Sequence, residues 1–454
     1  MNAPPWREAA SLIVACRAPM SEVIGKDLAT NMIATKWANP SPTTSSTAGL
    51  VGSQHATTTT SSSFSSSHSI SRCDYKVLMV KRSQLSSFMA NAYVYPGGLA
   101  EKSDFALDWL KVFERCGVSQ QQLREDFVDH VTGPRPPMIA RPITITHNEK
   151  DVNLDNFIPA SVAFRICAIR ETFEETGVLL LTRSRPQLPP AEAAAQSHNR
   201  SGNAAYAGPS SSSSSRSRST GGLPPMTAFE GGEDIDPAAW RQKLRSEPRA
   251  LLDMCLENGL CPNLWALREW SDWLTPVNVG HRRYDTLFYV ACLDQTPRVV
   301  LDQSEVVTLR WTTPLAILEE YSAGAVFLAP PQVYEMSRFA SIPSYNQLAR
   351  FAREREPLGV DRWLPVIAAA SNGVASLLPK DDLYPAEPDL YGAGPGPEFT
   401  FTLEEMRARC ANVNRMDVQG PFACAHCNIE SLPCGVPAPI SFKGARQLNF
   451  QSML

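Results

Sequence analysis

The chain has 454 residues, 42 of them basic and 46 acidic, for a formal charge of −4, and 43% are hydrophobic. That balance supports a substantial core and gives no sign of a nucleic-acid-binding surface, and no apolar run reaches the roughly 18 residues needed to span a bilayer. Eleven cysteines, an odd number scattered along the chain, read as reduced thiols in an intracellular compartment rather than a disulfide framework.

In chain order, residues 9–16 (AASLIVAC) form an apolar run interrupted only by Ser11. Glu8 precedes it directly and the run is short for a signal core, so it reads as the first core strand. Residues 40–72 are a Ser/Thr tract with too little apolar surface to offset ordering entropy, and are expected to be disordered. Residues 75–80 (YKVLMV) predict a strand ending at Lys81 and Arg82. Tyr95-Pro96-Gly97-Gly98 follows, where the glycines permit a sharp turn. Phe105, Leu107, Trp109, Leu110, Val112 and Phe113 predict a helix packed on the domain, and residues 123–131 predict a second. A proline-rich stretch at 134–142 and an Ile-Thr alternation at 143–145 lead onward.

Residues 161–178 (SVAFRICAIRETFEETGV) carry the chemistry. At about 100° per residue, Val162, Ile166, Ile169 and Phe173 share one stripe. Glu171, Glu174 and Glu175 share an arc of about 100° on the opposite side. Gly177 stands where a helix ends in the left-handed conformation, and residues 178–181 resume as a strand. Like charges held this close repel, so the cluster invites a divalent cation with oxygen ligands, Mg²⁺ or Mn²⁺ before zinc. The same spacing also fits a solvated face on which Arg170 pairs with Glu174.

Residues 187–222 are a second low-complexity tract, again expected to be disordered. Asp236 and Pro237 form an N-cap and first-turn pair for a helix through Leu244, with a further helical piece over 251–260. Trp265, Trp270 and Trp273 read as packing residues ahead of base-stacking ones. Residues 283–293 predict a strong strand, and residues 302–311 carry Glu305 into another. Pro314 starts a helix. This order fits an α/β or α+β sandwich around a mixed sheet. Two units are expected, a catalytic domain over 1–320 and a helical extension over 321–454. Within the latter, Cys410, Cys424, Cys427 and Cys434, with His426 among them, include only one Cys-x2-Cys pair, which favours unlinked thiols over zinc.

The run Arg170-Glu171-x-x-Glu174-Glu175-x-Gly177-Val178 resembles the second half of the Nudix hydrolase signature, G-x5-E-x7-R-E-U-x-E-E-x-G-U, where U is bulky and apolar. Gly98 matches its opening glycine. Asp104 then stands where the family has glutamate, and a long insertion, about 105–160, separates it from Arg170. Thr172 replaces the usual apolar residue. The segments at 273–276 (WLTP), 282–288 (RRYDTLF), 328–332 (LAPPQ) and 381–385 (DDLYP) are similar to the peroxisomal acyl-coenzyme A diphosphatase branch of that family.

The resemblance implies a Nudix-type α/β/α sandwich with a mixed sheet. It further implies a Mg²⁺ or Mn²⁺ cofactor on Glu171, Glu174 and Glu175. The implied reaction cleaves the pyrophosphate of coenzyme A or acyl-coenzyme A to adenosine 3′,5′-bisphosphate and (acyl)phosphopantetheine. NADH or ADP-ribose would use the same helix with a different pocket, whereas a catalytically silent Nudix-fold binding protein would usually lack the carboxylates. Glu174 and Glu175 are the candidate proton acceptors on the helix and Glu305 the candidate outside it, with Arg170 orienting the carboxylates. Gly97 and Gly98 would approach substrate, and Arg82 or Arg283, with Lys81 and Arg282, would meet the 3′-phosphate. Ser452-Met453-Leu454 resembles the peroxisomal Ser-Lys-Leu address, implying an import receptor as partner and a peroxisomal location.

Overall fold

The computed structural model describes residues 6–18, 73–86, 89–142, 144, 156–186, 228, 235–277, 279, 282–300, 306–420, 422–430 and 432–440. The tracts at 40–72 and 187–222, Glu305 and the terminal tripeptide lie outside the described residues.

The chain opens with β1 (Trp6–Arg17), β2 (Tyr75–Arg82), β3 (Ala92–Val94) and β4 (Gly97–Leu99). The box-splitting insertion folds as α1 (Asp108–Arg115) and α2 (Gln120–Arg124), and α3 (Ala160–Thr176) carries the carboxylates. Next come β5 (Leu181–Thr182), α4 (Pro237–Leu244), α5 (Ala250–Asn258), β6 (Cys261–Pro262), β7 (Leu267–Leu274), β8 (Arg283–Leu293) and β9 (Val306–Thr312). The remainder comprises α6 (Pro314–Ser322), β10 (Phe327–Leu328), α7 (Pro330–Ala340), α8 (Tyr345–Arg355), β11 (Arg362–Trp363), β12 (Val366–Ala370), β13 (Gly373–Leu377), α9 (Leu403–Ala408), β14 (Asn414–Gln419) and β15 (Phe422–Cys427).

Nine strands form one mixed sheet in the order β10-β3-β2-β1-β8-β7-β11, with β4 against β1 and β9 against β2. β1 lies at its centre, parallel to β8 from Trp6↔Arg283 to Cys16↔Leu293 and antiparallel to β2. Its alternate side chains enter two cores: Ala10, Leu12, Val14 and Cys16 one, Ile13 and Ala15 the other. A strand covered on both faces reads as a continuous apolar run, which is why no alternation marks residues 9–16. Residues of α1 to α5 fill the first core and residues of α6 to α8 the second. The layers are therefore helix, sheet, helix, the α/β/α sandwich expected.

Three expectations are corrected. The boundary at 320 cuts through the sheet, because β10 pairs with β3 and β11 with β7; α7 and α8 belong to its second core. The extension is helical only in part: it holds α7 and α8, but beyond them β12 to β15 make a separate antiparallel sheet packed with α9. Residues 178–181 give a strand only at Leu181, since Val178 to Leu180 are buried outside any ladder.

Candidate active site

α3 starts behind Pro159, whose carbonyl accepts from the N–H groups of Val162 and Ala163 at 2.9 and 3.0 Å. It ends at Gly177, φ 75°, whose N–H reaches the Phe173 carbonyl. That left-handed geometry costs glycine little and other residues more. Only Glu171 and Glu174 of its 17 residues escape full burial. The sequence suggests a half-exposed helix; instead β1 and β4 cover it on one side and α4 and the insertion on others. Thr172 fits this setting because its hydroxyl donates to the Ala168 carbonyl at 2.7 Å, which satisfies it in a place the family fills with an apolar side chain. Arg241 of α4 clamps the last turn, Nε donating to the Glu174 carbonyl and Nη1 to the Val300 carbonyl, both at 2.6 Å. A cation at this end complements the helix dipole.

Arg170 is the hub of the carboxylate face. Its Nε and Nη2 donate to the two oxygens of Asp104 at 2.8 and 2.9 Å, and Nη1 donates to Glu171 at 2.7 Å. Nη2 also donates to the Leu99 carbonyl at 2.8 Å. Burial opposes the guanidinium's charge, but Asp104 and Glu171 more than offset it and raise its pKa. Asp104 is buried by the same contacts. Its second oxygen accepts the Glu101 N–H at 2.9 Å, so this carboxylate is spent on holding the turn to the helix.

The Gly97-Gly98 turn is pinned to β1 from behind: the Pro96 carbonyl accepts from the Leu12 N–H at 2.9 Å and the Ser11 hydroxyl at 3.1 Å. In front, the Gly97 N–H donates to Glu175 at 3.1 Å. A Cβ on Gly98 would sit 2.4 Å from a Glu171 oxygen, so only glycine lets the backbone approach that carboxylate so closely.

Among the described residues, no three His, Cys, Asp or Glu side chains already converge as a metal site. The reason is local: Glu171 turns to Arg170 and Glu175 to Gly97. Arg170 Nη1 nevertheless lies 3.9 Å from Glu174 as well as 2.7 Å from Glu171, so these two carboxylates crowd a single nitrogen. Three carboxylates on adjacent turns are a hard-oxygen donor set, and that chemistry fits a divalent cation of the Mg²⁺ or Mn²⁺ kind.

The structure gathers Gly97, Gly98, Arg170, Glu171, Glu174 and Glu175 in one place. It does not gather every arginine named from the sequence. Arg82 lies at the end of β2 and donates to Ser86 through Nε and Nη2 at 3.1 and 2.9 Å, with Lys81 beside the Tyr93 ring. Arg283 is buried and donates to the carbonyls of Thr275 and Leu390 at 2.9 and 2.8 Å. It pairs with Trp6 of β1, whereas Gly97 pairs with Ser11. Those positions are separated by roughly 17 Å along the strand, so Arg283 fastens loops away from the carboxylates. Arg282 is exposed beside it. Trp265, Trp270 and Trp273 are core residues, and the last two donate their indole N–H groups to Glu335. None of the eleven cysteines forms a disulfide; near the C-terminal end, Cys410 faces Met406 and Arg415, while Cys427 faces Ile429. Sequence reasoning missed Arg241, which no motif marks.

A mixed sheet sandwiched between helices, with an Arg-Glu-x-x-Glu-Glu face docked on a Gly-Gly turn, defines the Nudix hydrolases, and this chain is one. More narrowly, it belongs to the family described as the NUDT19 Nudix domain, matched over residues 6–339, with the NUDT19 C-terminal domain matched over 367–428. Its relatives include the acyl-coenzyme A diphosphatase NUDT19 of Gallus gallus, 37% identical over 333 residues, covering 70% of this chain and 75% of that one. The Xenopus laevis protein of the same name is 37% identical over 322 residues, covering 70% and 74%. The Homo sapiens protein is 33% identical over 328 residues, covering 70% and 74%.

Proposed function

We propose that the chain hydrolyses the pyrophosphate of coenzyme A and acyl-coenzyme A, releasing adenosine 3′,5′-bisphosphate and phosphopantetheine or its acyl form. The observation that carries this reading is the likeness to relatives named acyl-coenzyme A diphosphatase over 70% of the chain, beside the match to both NUDT19 domain families. Water's oxygen bonds to one phosphorus, the bond from that phosphorus to the bridging oxygen breaks, and the departing phosphate keeps that oxygen. Glu171, Glu174 and Glu175 would hold Mg²⁺ or Mn²⁺, which when bound neutralises pyrophosphate charge and acidifies water. Arg170 positions Glu171 and, through Asp104, the Gly-Gly turn. Glu174, the most exposed of the three carboxylates, is the proposed acceptor of the water proton. Gly97 and Gly98 keep the turn's backbone slim where the phosphates approach, and Arg82 with Lys81 is the proposed contact for the 3′-phosphate.

The test is kcat/KM for coenzyme A, dephospho-coenzyme A, NADH and ADP-ribose with product analysis. Coenzyme A should be preferred, and loss of the 3′-phosphate should weaken turnover because a charged site is left unpaired. A clear preference for NADH or ADP-ribose overturns the substrate and leaves the Nudix chemistry standing.

We also propose delivery to peroxisomes by an import receptor, supported by Ser452-Met453-Leu454. A fluorescent fusion ending in those residues should form peroxisomal puncta that disperse when Leu454 is removed. Unchanged localisation in that truncation overturns the assignment.

A further inference from the structure

On the sheet face opposite α3, a narrow cavity lies between β7, α7, the end of α8 and the chain around Cys434. Two buried guanidinium groups, those of Arg338 and Arg355, line it. The guanidinium carbon of Arg338 lies over the rings of both Tyr334 and Trp363, 4.6 and 4.4 Å from their centroids. Its Nη1 donates to Glu335 at 3.0 Å and the guanidinium interacts with the Tyr334 hydroxyl, but its Nε and Nη2 have no hydrogen-bond partner among the described residues. Arg355 donates through Nη1 to the carbonyls of Gly359 and Cys434, and through Nη2 to those of Glu269 and Trp270, at 2.6–3.2 Å. Its Nε has no partner. Ser271, on the same wall, has a buried hydroxyl that is equally unpaired.

Two physical arguments decide what belongs there. First, the count of hydrogen bonds: three buried nitrogens that can only donate, Arg338 Nε and Nη2 and Arg355 Nε, belong to side chains lining a space of about one water molecule. Water offers two lone pairs, so at least one donor would stay unsatisfied. A spherical anion accepts from all of them at once. Second, the charge: Arg338 is met by Glu335, yet all four of Arg355's bonds end on neutral carbonyls. The one acid on the lining, Asp361, is only half-buried and interacts with the Cys434 thiol. Burial and the neighbouring Arg338 pull Arg355 down to about 10, more than Glu269 and Glu335 nearby restore.

We propose that this cavity is a binding site for a single small inorganic anion of chloride size, held by Arg338 Nε and Nη2, Arg355 Nε and the Ser271 hydroxyl. The anion would tie β7, α7 and the end of α8 together beside the chain around Cys434. The site is independent of the catalytic face and of what the enzyme hydrolyses.

The experiment is to crystallise the full chain in bromide and collect anomalous data. An anomalous peak within hydrogen-bonding distance of Arg338 Nε and Arg355 Nε is expected. A peak of water height with no anomalous signal overturns the proposal. In parallel, melting at constant ionic strength should show Tm rising by on the order of 2–4 °C as a bulky organic anion is replaced by chloride, with saturation. That rise should shrink in Ser271→Ala, which keeps both arginines. A Tm indifferent to chloride in the wild-type chain likewise overturns it.

Discussion

Arg170 and Asp104 lie 66 positions apart in sequence, yet meet in a two-bond fork at 2.8 and 2.9 Å. This fork joins the two halves of a signature that the insertion separates. The shorter acid is adequate because Leu99 and Glu101 bring the turn up to the helix, through the Leu99 carbonyl and the Glu101 N–H.

Asp104→Asn should therefore cost stability as well as rate. Breaking one side of a buried pair leaves Arg170 undercompensated, a loss of about 3–5 kcal/mol. Denaturant unfolding should show a lower midpoint, and kcat should fall with little change in KM, since Asp104 faces the helix. A midpoint equal to wild type would show that the fork does not hold the box together.

Glu174→Gln should remove at least about 10²-fold from kcat while leaving Tm nearly unchanged, because several kcal/mol of transition-state stabilisation depend on one carboxylate. Its side chain is the least buried of the three, so folding has little at stake. The measurements are steady-state rates across Mg²⁺ concentrations and a melting curve. Near wild-type rates would discard the assignment.

Gly98→Ala separates approach from chemistry. The added methyl would sit 2.4 Å from a Glu171 oxygen, and that carboxylate is the flexible end of a side chain, so the fold gives way there at small cost. Displacing it by about 1 Å should cost on the order of 10²-fold in kcat/KM. Circular dichroism and Tm should stay close to wild type; if the rate does too, Glu171 is not needed where it stands.

Asp272 predicts a pH dependence of stability. It is fully buried, both its oxygens lack hydrogen-bond partners among the described residues, and it lies diagonally from Asp285 across β7 and β8. Burial, then Asp285, pushes its carboxyl well above the ordinary 3.8. The folded chain thus keeps a proton that the unfolded chain has lost above that value. Unfolding releases it, and stability falls as pH rises toward the folded pKa. Asp272→Asn removes the titration, so its Tm relative to wild type should be higher at pH 8 than at pH 5. An equal difference at both would show that the carboxyl does not titrate in this way.

The sequence makes the carboxylate-bearing helix legible because its glutamates recur at helical spacing and Gly177 ends it. The central strands are legible because their faces are apolar. Other parts are not. β12 (VIAAA) and β15 (FACAHC) are built from small or mixed residues that carry no clean alternation, and the sheet they form replaces the expected helices. Arg283 looks like a phosphate ligand in sequence, since an exposed and a carbonyl-bound arginine read alike until Thr275 and Leu390 are in place. Likewise, nothing in the primary sequence ties Arg241 to the end of a helix begun some eighty residues earlier.

The parallel pairing of β1 with β8 has a consequence for biogenesis. The strand that becomes the middle of the sheet leaves the ribosome first, and its neighbour from Arg283 onward follows some 277 residues later. At 5–20 residues per second that is roughly 15–60 s of synthesis. Through that interval an apolar strand waits with one edge unpaired, a template for misassociation. The nascent chain should then depend on holding chaperones until residue 293 emerges, and slow translation between β2 and β8 should lower the yield of folded enzyme without altering a single native contact.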